Sequence, residues 1–129
     1  MVLDASAILE VLLKSPAGTA IHQRIFSPQE TLHVPHLADL EVTQVVRRYL
    51  LRNVLDNVRA SQALDDYQDL PLIRYPHSPF LKRVWELRHN LSAYDAIYIA
   101  LAEALDAPLL TCDRALASIT GHRAKVQLF

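Results

Sequence analysis

Four carboxylates in this chain stand where one edge of a sheet can collect them. Asp4 ends the apolar run Met1-Val2-Leu3, and Asp113 follows the apolar run PLLTC. Glu41 lies one turn before Val45 at the border of an apolar helix face, and Asp95 lies one turn before Ile99 in an alanine-rich segment. A carboxylate at the end of a buried strand is costly to desolvate unless something pairs with it. Three or four of them meeting at one place repel one another, and a divalent cation relieves the repulsion. Oxygen-only ligands favour a hard ion, Mg2+ or Mn2+, over zinc. Such ions neutralise and align phosphoryl oxygens and activate water for in-line attack, so the chemistry indicated is phosphodiester hydrolysis. Each acid alone also has a plainer use. Asp4, Asp95 (in SAYD, three residues after Ser92) and Asp113 suit helix capping, and Glu41 suits an exposed helix face. Only the set, in this order and at these strand ends, points to a site.

The elements that must position these acids are legible from periodicity. Residues 1–3 predict a first strand, and SAILEVLLK continues as a helix. Ser15-Pro16 starts a second helix with Ser15 as cap and Pro16 at the first helical position; Ala17, Ala20, Ile21 and Ile25 form its expected inner stripe. LHVP (32–35) is a short strand, and a long helix over roughly 37–53 puts Val42, Val45, Val46 and Tyr49 on one face. Asp56 caps a further helix carrying Ala60, Ala63, Leu64 and Tyr67. PLIRYP is a third strand, and Ser78-Pro79 repeats the cap-plus-proline start, with Phe80, Val84, Leu87 and Leu91 following. SAYDAIYIALAEAL is strongly helical, APLLTC is a fourth strand, and a short helix near 114–118 precedes a last strand, KVQLF. Strands alternating with helices predict one α/β domain over 1–129 with a mainly parallel sheet and right-handed crossovers. If the chain runs outward through its first three strands and returns with the fourth beside the first, the switch point falls between strands one and four. Asp4 and Asp113 then flank it. Glu41, early in the helix after strand two, reaches the same edge. Asp95 belongs to the crossover between strands three and four, and its placement is less constrained.

Composition narrows the alternatives. Lys and Arg number 13 against 14 Asp and Glu, a formal charge of −1, so a nucleic-acid partner requires a local basic patch. Arg47, Arg48 and Arg52 form one candidate and Lys82, Arg83 and Arg88 another, although a solvated helix face explains most such clusters. Arg88 precedes the Asp95 segment and is placed to reach a phosphate. Only two glycines occur, Gly18 and Gly121, so neither a Walker loop nor a GxGxxG turn can be written. The lone cysteine, Cys112, makes no intramolecular disulfide and is expected as a small buried hydrophobe. His33 and His36 have metal-like spacing but lack further partners for a zinc site. Trp85, Tyr94 and Tyr98 stand at helical spacing among aliphatics, which favours core or dimer packing over base stacking. Apolar runs fall far short of the ~18 residues that span a bilayer. No basic leader precedes the first strand, and a cytoplasmic location is expected.

The segments VLDASAIL, LEVTQVVRR, LSAYDAIYIALAEAL and LLTCDRAL, in this order and at these separations, resemble the PIN-domain ribonucleases, most of all the VapC-type toxins of bacterial toxin–antitoxin pairs. The resemblance covers essentially the whole chain. It implies a three-layer α/β/α fold with a parallel five-stranded sheet of order 3-2-1-4-5. It implies that Asp4, Glu41, Asp95 and Asp113 are an acidic quartet holding Mg2+ or Mn2+, with Ser6 and Thr111 as supporting hydroxyls. It further implies cleavage of single-stranded or looped RNA, a homodimer, and an antitoxin that covers the active site and binds DNA, so that DNA is met only through the antitoxin. One departure concerns Ala115, where many relatives carry another acid; one tightly bound ion is expected, with a second arriving at most with substrate. A receiver-like signalling domain needs an acidic pair after the first strand and a lysine beyond the last, and a haloacid-dehalogenase-type phosphatase needs Asp-x-Asp where this chain has Asp4-Ala5-Ser6. A catalytically silent PIN-like interaction module is the remaining alternative, and the intact set of acids argues against it.

Overall fold

The computed structural model describes residues 1–27 and 29–129. The chain runs β1 (Val2–Leu3), α1 (Ala5–Leu12), α2 (Pro16–Ile25), β2 (Leu32–Pro35), α3 (Leu37–Leu51), α4 (Asn57–Asp69), β3 (Leu72–Tyr75), a 3₁₀ turn (Ser78–Phe80), α5 (Leu81–Glu86), α6 (Ala93–Ala104), β4 (Leu109–Thr111), α7 (Arg114–Ala117) and β5 (Val126–Leu128). The five-stranded sheet has the order β3-β2-β1-β4-β5, and every pairing is parallel. That is the order the resemblance implied. Val2 stands opposite both His33 of β2 and Leu109 of β4, and Leu3 opposite Leu110. Val2, Leu109 and Leu110 have no exposed surface, as expected of strands covered on both faces, where alternation gives way to continuous apolar runs. The right-handed crossovers carry α1 to α4 over one face of the sheet and α5 and α6 over the other. α1 packs on α2, α3 and α4; α6 lies across β1, β2 and β4 and pairs with α5. β1 connects outward to β2, and β4 connects the other way to β5. The edge between β1 and β4 is therefore the switch point.

Capping chemistry fixes where the helices begin. Asp4, Ser15, Asp56, Ser92 and Asp113 all hold extended backbone and accept a backbone N–H two or three residues on. Ser78-Pro79 departs from that pattern. Ser78 makes no capping bond; Phe80 N–H donates to the His77 carbonyl, which closes a 3₁₀ turn, and α5 begins only at Leu81. The stripe of α2 also differs from expectation. Ala20 is exposed, and the buried positions are Gly18, Ile21 and Ile25.

Gly18 sets how closely α2 approaches α1. A Cβ built on it would lie 1.9 Å from the Glu10 carbonyl oxygen and 2.9 Å from the Val11 nitrogen, both backbone atoms with nowhere to yield. The two helices thus meet backbone to backbone, and α1 carries the start of the acidic edge. Gly18→Ala is expected to destabilise the domain by about 2–3 kcal/mol through forced separation of α1 and α2. Urea unfolding of the two proteins measures it, and a loss below about 0.5 kcal/mol would show that the helices part freely.

Candidate active site

The β1–α1 junction is built around one buried carboxylate. Asp4 is 5% exposed. Its Oδ1 accepts the Ala7 N–H at 2.8 Å, which caps α1. The Thr111 hydroxyl, from the end of β4, donates to its Oδ2 at 2.5 Å. The Ser6 hydroxyl lies 2.7 and 2.9 Å from its two oxygens. Each hydroxyl also accepts a backbone N–H at the end of β4: Ser6 Oγ takes the Cys112 N–H from across the β1–β4 junction, and Thr111 Oγ1 takes the Asp113 N–H of its own strand end, both at 2.9 Å. Burial pushes the Asp4 carboxyl above its ordinary range. Thr111, Ala7 and Ser6 oppose that rise by stabilising the charge, and the neighbouring Asp113 adds to it.

Glu41 projects from the second turn of α3 and is half-buried. The Tyr98 hydroxyl of α6 donates to its Oε2 at 2.5 Å. Burial raises the Glu41 pKa, the Tyr98 bond lowers it, and Asp4 and Asp95 raise it again. Tyr98, 2% exposed, is pushed far above the ordinary tyrosine value by burial and by Glu41, so it remains a donor. Asp95 combines both of its candidate roles. Its N–H donates to Ser92 Oγ at 3.1 Å, and the Ser92 hydroxyl donates back to its Oδ2 at 2.7 Å. Asp113 likewise caps α7, its Oδ1 accepting from Ala115 N–H at 2.7 Å.

All four acids line one cavity of about 570 Å3, together with Ser6, Tyr98 and Arg48. Capping and site-building coincide because helix N-termini gather at the carboxyl edge of a parallel sheet. The cavity walls are otherwise largely apolar, with Leu9, Leu37, Leu40, Val45 and Leu116. Among the described residues, no three carboxylate, imidazole or thiol groups stand close enough together to grip a single ion. The acids ring the cavity, as like charges do. This donor set fits a hydrated Mg2+ or Mn2+ bound through one or two carboxylates and water, the usual habit of the smaller hard cation.

The candidate basic residues separate. Arg48 lines the cavity; Arg47 does not. Arg88 lies over the Trp85 ring, 4.7 Å from its centroid, and donates to the Trp85 carbonyl at 2.9 Å; it is not among the residues that line the cavity. Arg83 is held by Glu103 at 2.7 Å and Glu86 at 3.1 Å. His33 bonds Thr31 and Tyr75, and the His36 ring lies 6.1 Å from that of His77. Cys112 is partly buried, and its thiol is pushed up to about 11 by burial, then by Glu10 and Asp4, which leaves it inert as a nucleophile. Trp85 and Tyr94 are 67% and 65% exposed, so core packing describes neither. Tyr98 is the functional neighbour that aliphatic spacing concealed. Its position three residues after Asp95 on the same helix was the available signal.

The PIN-domain family model matches residues 1–121. The chain belongs to the PIN-domain family. This PIN domain is 38% identical over 128 residues to ribonuclease VapC12 of Mycobacterium tuberculosis, covering 99% of this chain and 98% of that one. It is 45% identical over 122 residues to ribonuclease VapC9 of the same species, covering 95% and 91%. The solved structure of VapBC2 from Rickettsia felis, bound to a DNA fragment from their promoter, matches the PIN domain with a TM-score of 0.69. That match covers 98% of this chain and 96% of the other at 13% identity, and it bears on the fold. No helix among the described residues is long and apolar enough to cross a membrane.

The raised Asp4 pKa has a stability consequence. Folded Asp4 holds its proton more tightly than the unfolded chain does. Ionising it therefore favours unfolding, from the ordinary value of 3.8 upward to the folded value. In EDTA, the melting temperature of Asp4→Asn relative to the unsubstituted protein is expected to rise as pH climbs through that window. Thermal melts across pH measure it, and a difference that shrinks with rising pH would refute the assignment.

Proposed function

We propose that this PIN domain is a Mg2+- or Mn2+-dependent endoribonuclease and the toxin of a VapBC-type pair. The observation that carries the reading is the ring of four acids, drawn from four separate segments, around one cavity at the β1–β4 switch point. Its support is the identity of 38–45% to proteins named ribonucleases. In this reading Asp4 is the central metal ligand, with Asp113, Asp95 and Glu41 completing the acidic set. Once bound, the ion supplies charge neutralisation at the scissile phosphate and a more acidic water. Ser6 and Thr111 aim Asp4 by donating to it and oppose the rise in its pKa that burial causes. Arg48 offers the bound strand a phosphate partner of opposite charge. The substrate is single-stranded or looped RNA, since an open cavity edged by apolar walls accepts unstacked bases. The protein works as a homodimer in the cytoplasm. A small antitoxin covers the cavity with a basic side chain, and DNA is met only through that antitoxin.

Structured RNAs incubated with the purified protein and Mn2+ are expected to be cut, and EDTA is expected to abolish cutting. Asp4→Asn is expected to lower the rate at least ~100-fold, more than the loss of an outer-shell partner alone. Cleavage that persists in EDTA or in Asp4→Asn would sink the metal mechanism.

The two arginines are expected to part in kinetics. Arg48→Ala should raise KM for RNA by about tenfold, the worth of one charge-assisted contact, with kcat little altered. Arg88→Ala should leave both constants within about twofold, because its side chain is committed to Trp85. Equal effects of the two substitutions would contradict the separation of their environments.

A further inference from the structure

A buried phenol crosses from one helix layer to the other beneath the acidic cavity. Tyr98 sits in α6, three residues after Asp95, with 2% of its surface exposed. Its hydroxyl donates to Glu41 Oε2 at 2.5 Å, across 57 residues of sequence. A buried tyrosine requires a partner for its hydroxyl, and many groups can serve. Here the partner is a carboxylate at the cavity, and α6 lies across β1, β2 and β4 with Ala96 to Ala102 buried on all sides. The donor is thus anchored in a fully packed helix. The acceptor belongs to a long side chain on a half-buried helix position, which has rotamer freedom of its own. The bond therefore transfers order from Tyr98 to Glu41. It engages Oε2 of a carboxylate that lines the cavity.

We propose that Tyr98 is a positioning residue, which fixes the carboxylate of Glu41 for divalent-cation binding at the acidic cavity. This rests on the metal-dependent reading above. Ligands that are held by outer partners bind metal more tightly, and removing such a partner costs roughly 10–100-fold in affinity or activity. Thr111 and Ser6 hold Asp4 in a comparable way, so both of these cavity acids are steered by hydroxyl donors. Asp95 and Asp113 are steered by helix-start contacts at Ser92 and Ala115 instead.

Mn2+ binding measured by electron paramagnetic resonance tests the proposal without recourse to catalysis. The proteins are the unsubstituted chain, Tyr98→Phe, Glu41→Gln and the double variant. Tyr98→Phe keeps the ring and is expected to raise the Mn2+ dissociation constant roughly tenfold. In the Glu41→Gln background the same change is expected to have no further effect, because the two act through one bond. In cleavage assays Tyr98→Phe should lower kcat with KM for RNA within about twofold. A purely structural hydroxyl would lower the melting temperature of Tyr98→Phe and leave its Mn2+ affinity unchanged, which would overturn the proposal. An equal loss with and without Glu41 would overturn it too. Glu41→Asp keeps the charge and draws it away from Tyr98; unsubstituted-level affinity in that variant would also reject the role. Absence of Mn2+ binding by the unsubstituted protein would instead remove the metal reading itself, and this inference with it.

Discussion

The structure depends on making one buried carboxylate tolerable. Asp4 must leave the central strand at a point where both sheet faces are covered, and an isolated charge there is strongly disfavoured. Two hydroxyls and a backbone N–H meet it, and the same hydroxyls accept from the next strand end. The result joins β1 to β4 by side chains where the sheet ladder stops. Without that junction the two strands would diverge at the switch point, since their connections run in opposite directions. The cavity opens at this junction, and Asp4 is among its lining residues.

The opposite wall depends on the rotation of α3. Asp39 and Glu41 are two residues apart, so they face different sides of this helix. Tyr67 of α4 donates to Asp39 at 2.7 Å, and Arg74 of β3 joins the same carboxylate at 2.9 Å. Tyr98 of α6 holds Glu41 from the other flank. The His77 imidazole accepts the Leu37 N–H at 2.9 Å, which satisfies the first turn of α3 where no capping side chain of its own does so. Buried Val42 and Val46 supply the adhesion of α3. The polar contacts determine its angle.

Much of this was legible in the chain, for identifiable reasons. Strand and helix order followed from apolar runs, and capping side chains marked helix starts at Ser15, Asp56 and Ser92. The same logic failed at Ser78, because a proline after serine is equally at home in a 3₁₀ turn. Sheet order was not written in periodicity and came only with the family resemblance. Asp4 and Asp113 stood out at strand ends, and Glu41 and Asp95 near helix starts, yet the link from Glu41 to Tyr98 was hidden. Its neighbours Ile97, Ile99 and Leu101 are apolar on all sides, and a hydroxyl at the edge of such a run leaves no periodic trace. Arg48 and Arg88 belonged to equivalent-looking clusters, and only the tertiary placement of Arg48 at the cavity told them apart. Gly18 illustrates the converse. An alanine-rich stripe suggested side-chain packing, whereas the contact needed a position with no side chain.

The double use of the acids as caps has a consequence for how such a domain ages in a population. Asparagine caps a helix about as well as aspartate. A single-base codon change can turn Asp113 into asparagine, removing the charge while leaving α7 properly begun. Damage to the cavity then carries little penalty in folding. Such copies persist as well-formed protein. In this domain the path from active to inert runs through chemistry rather than collapse.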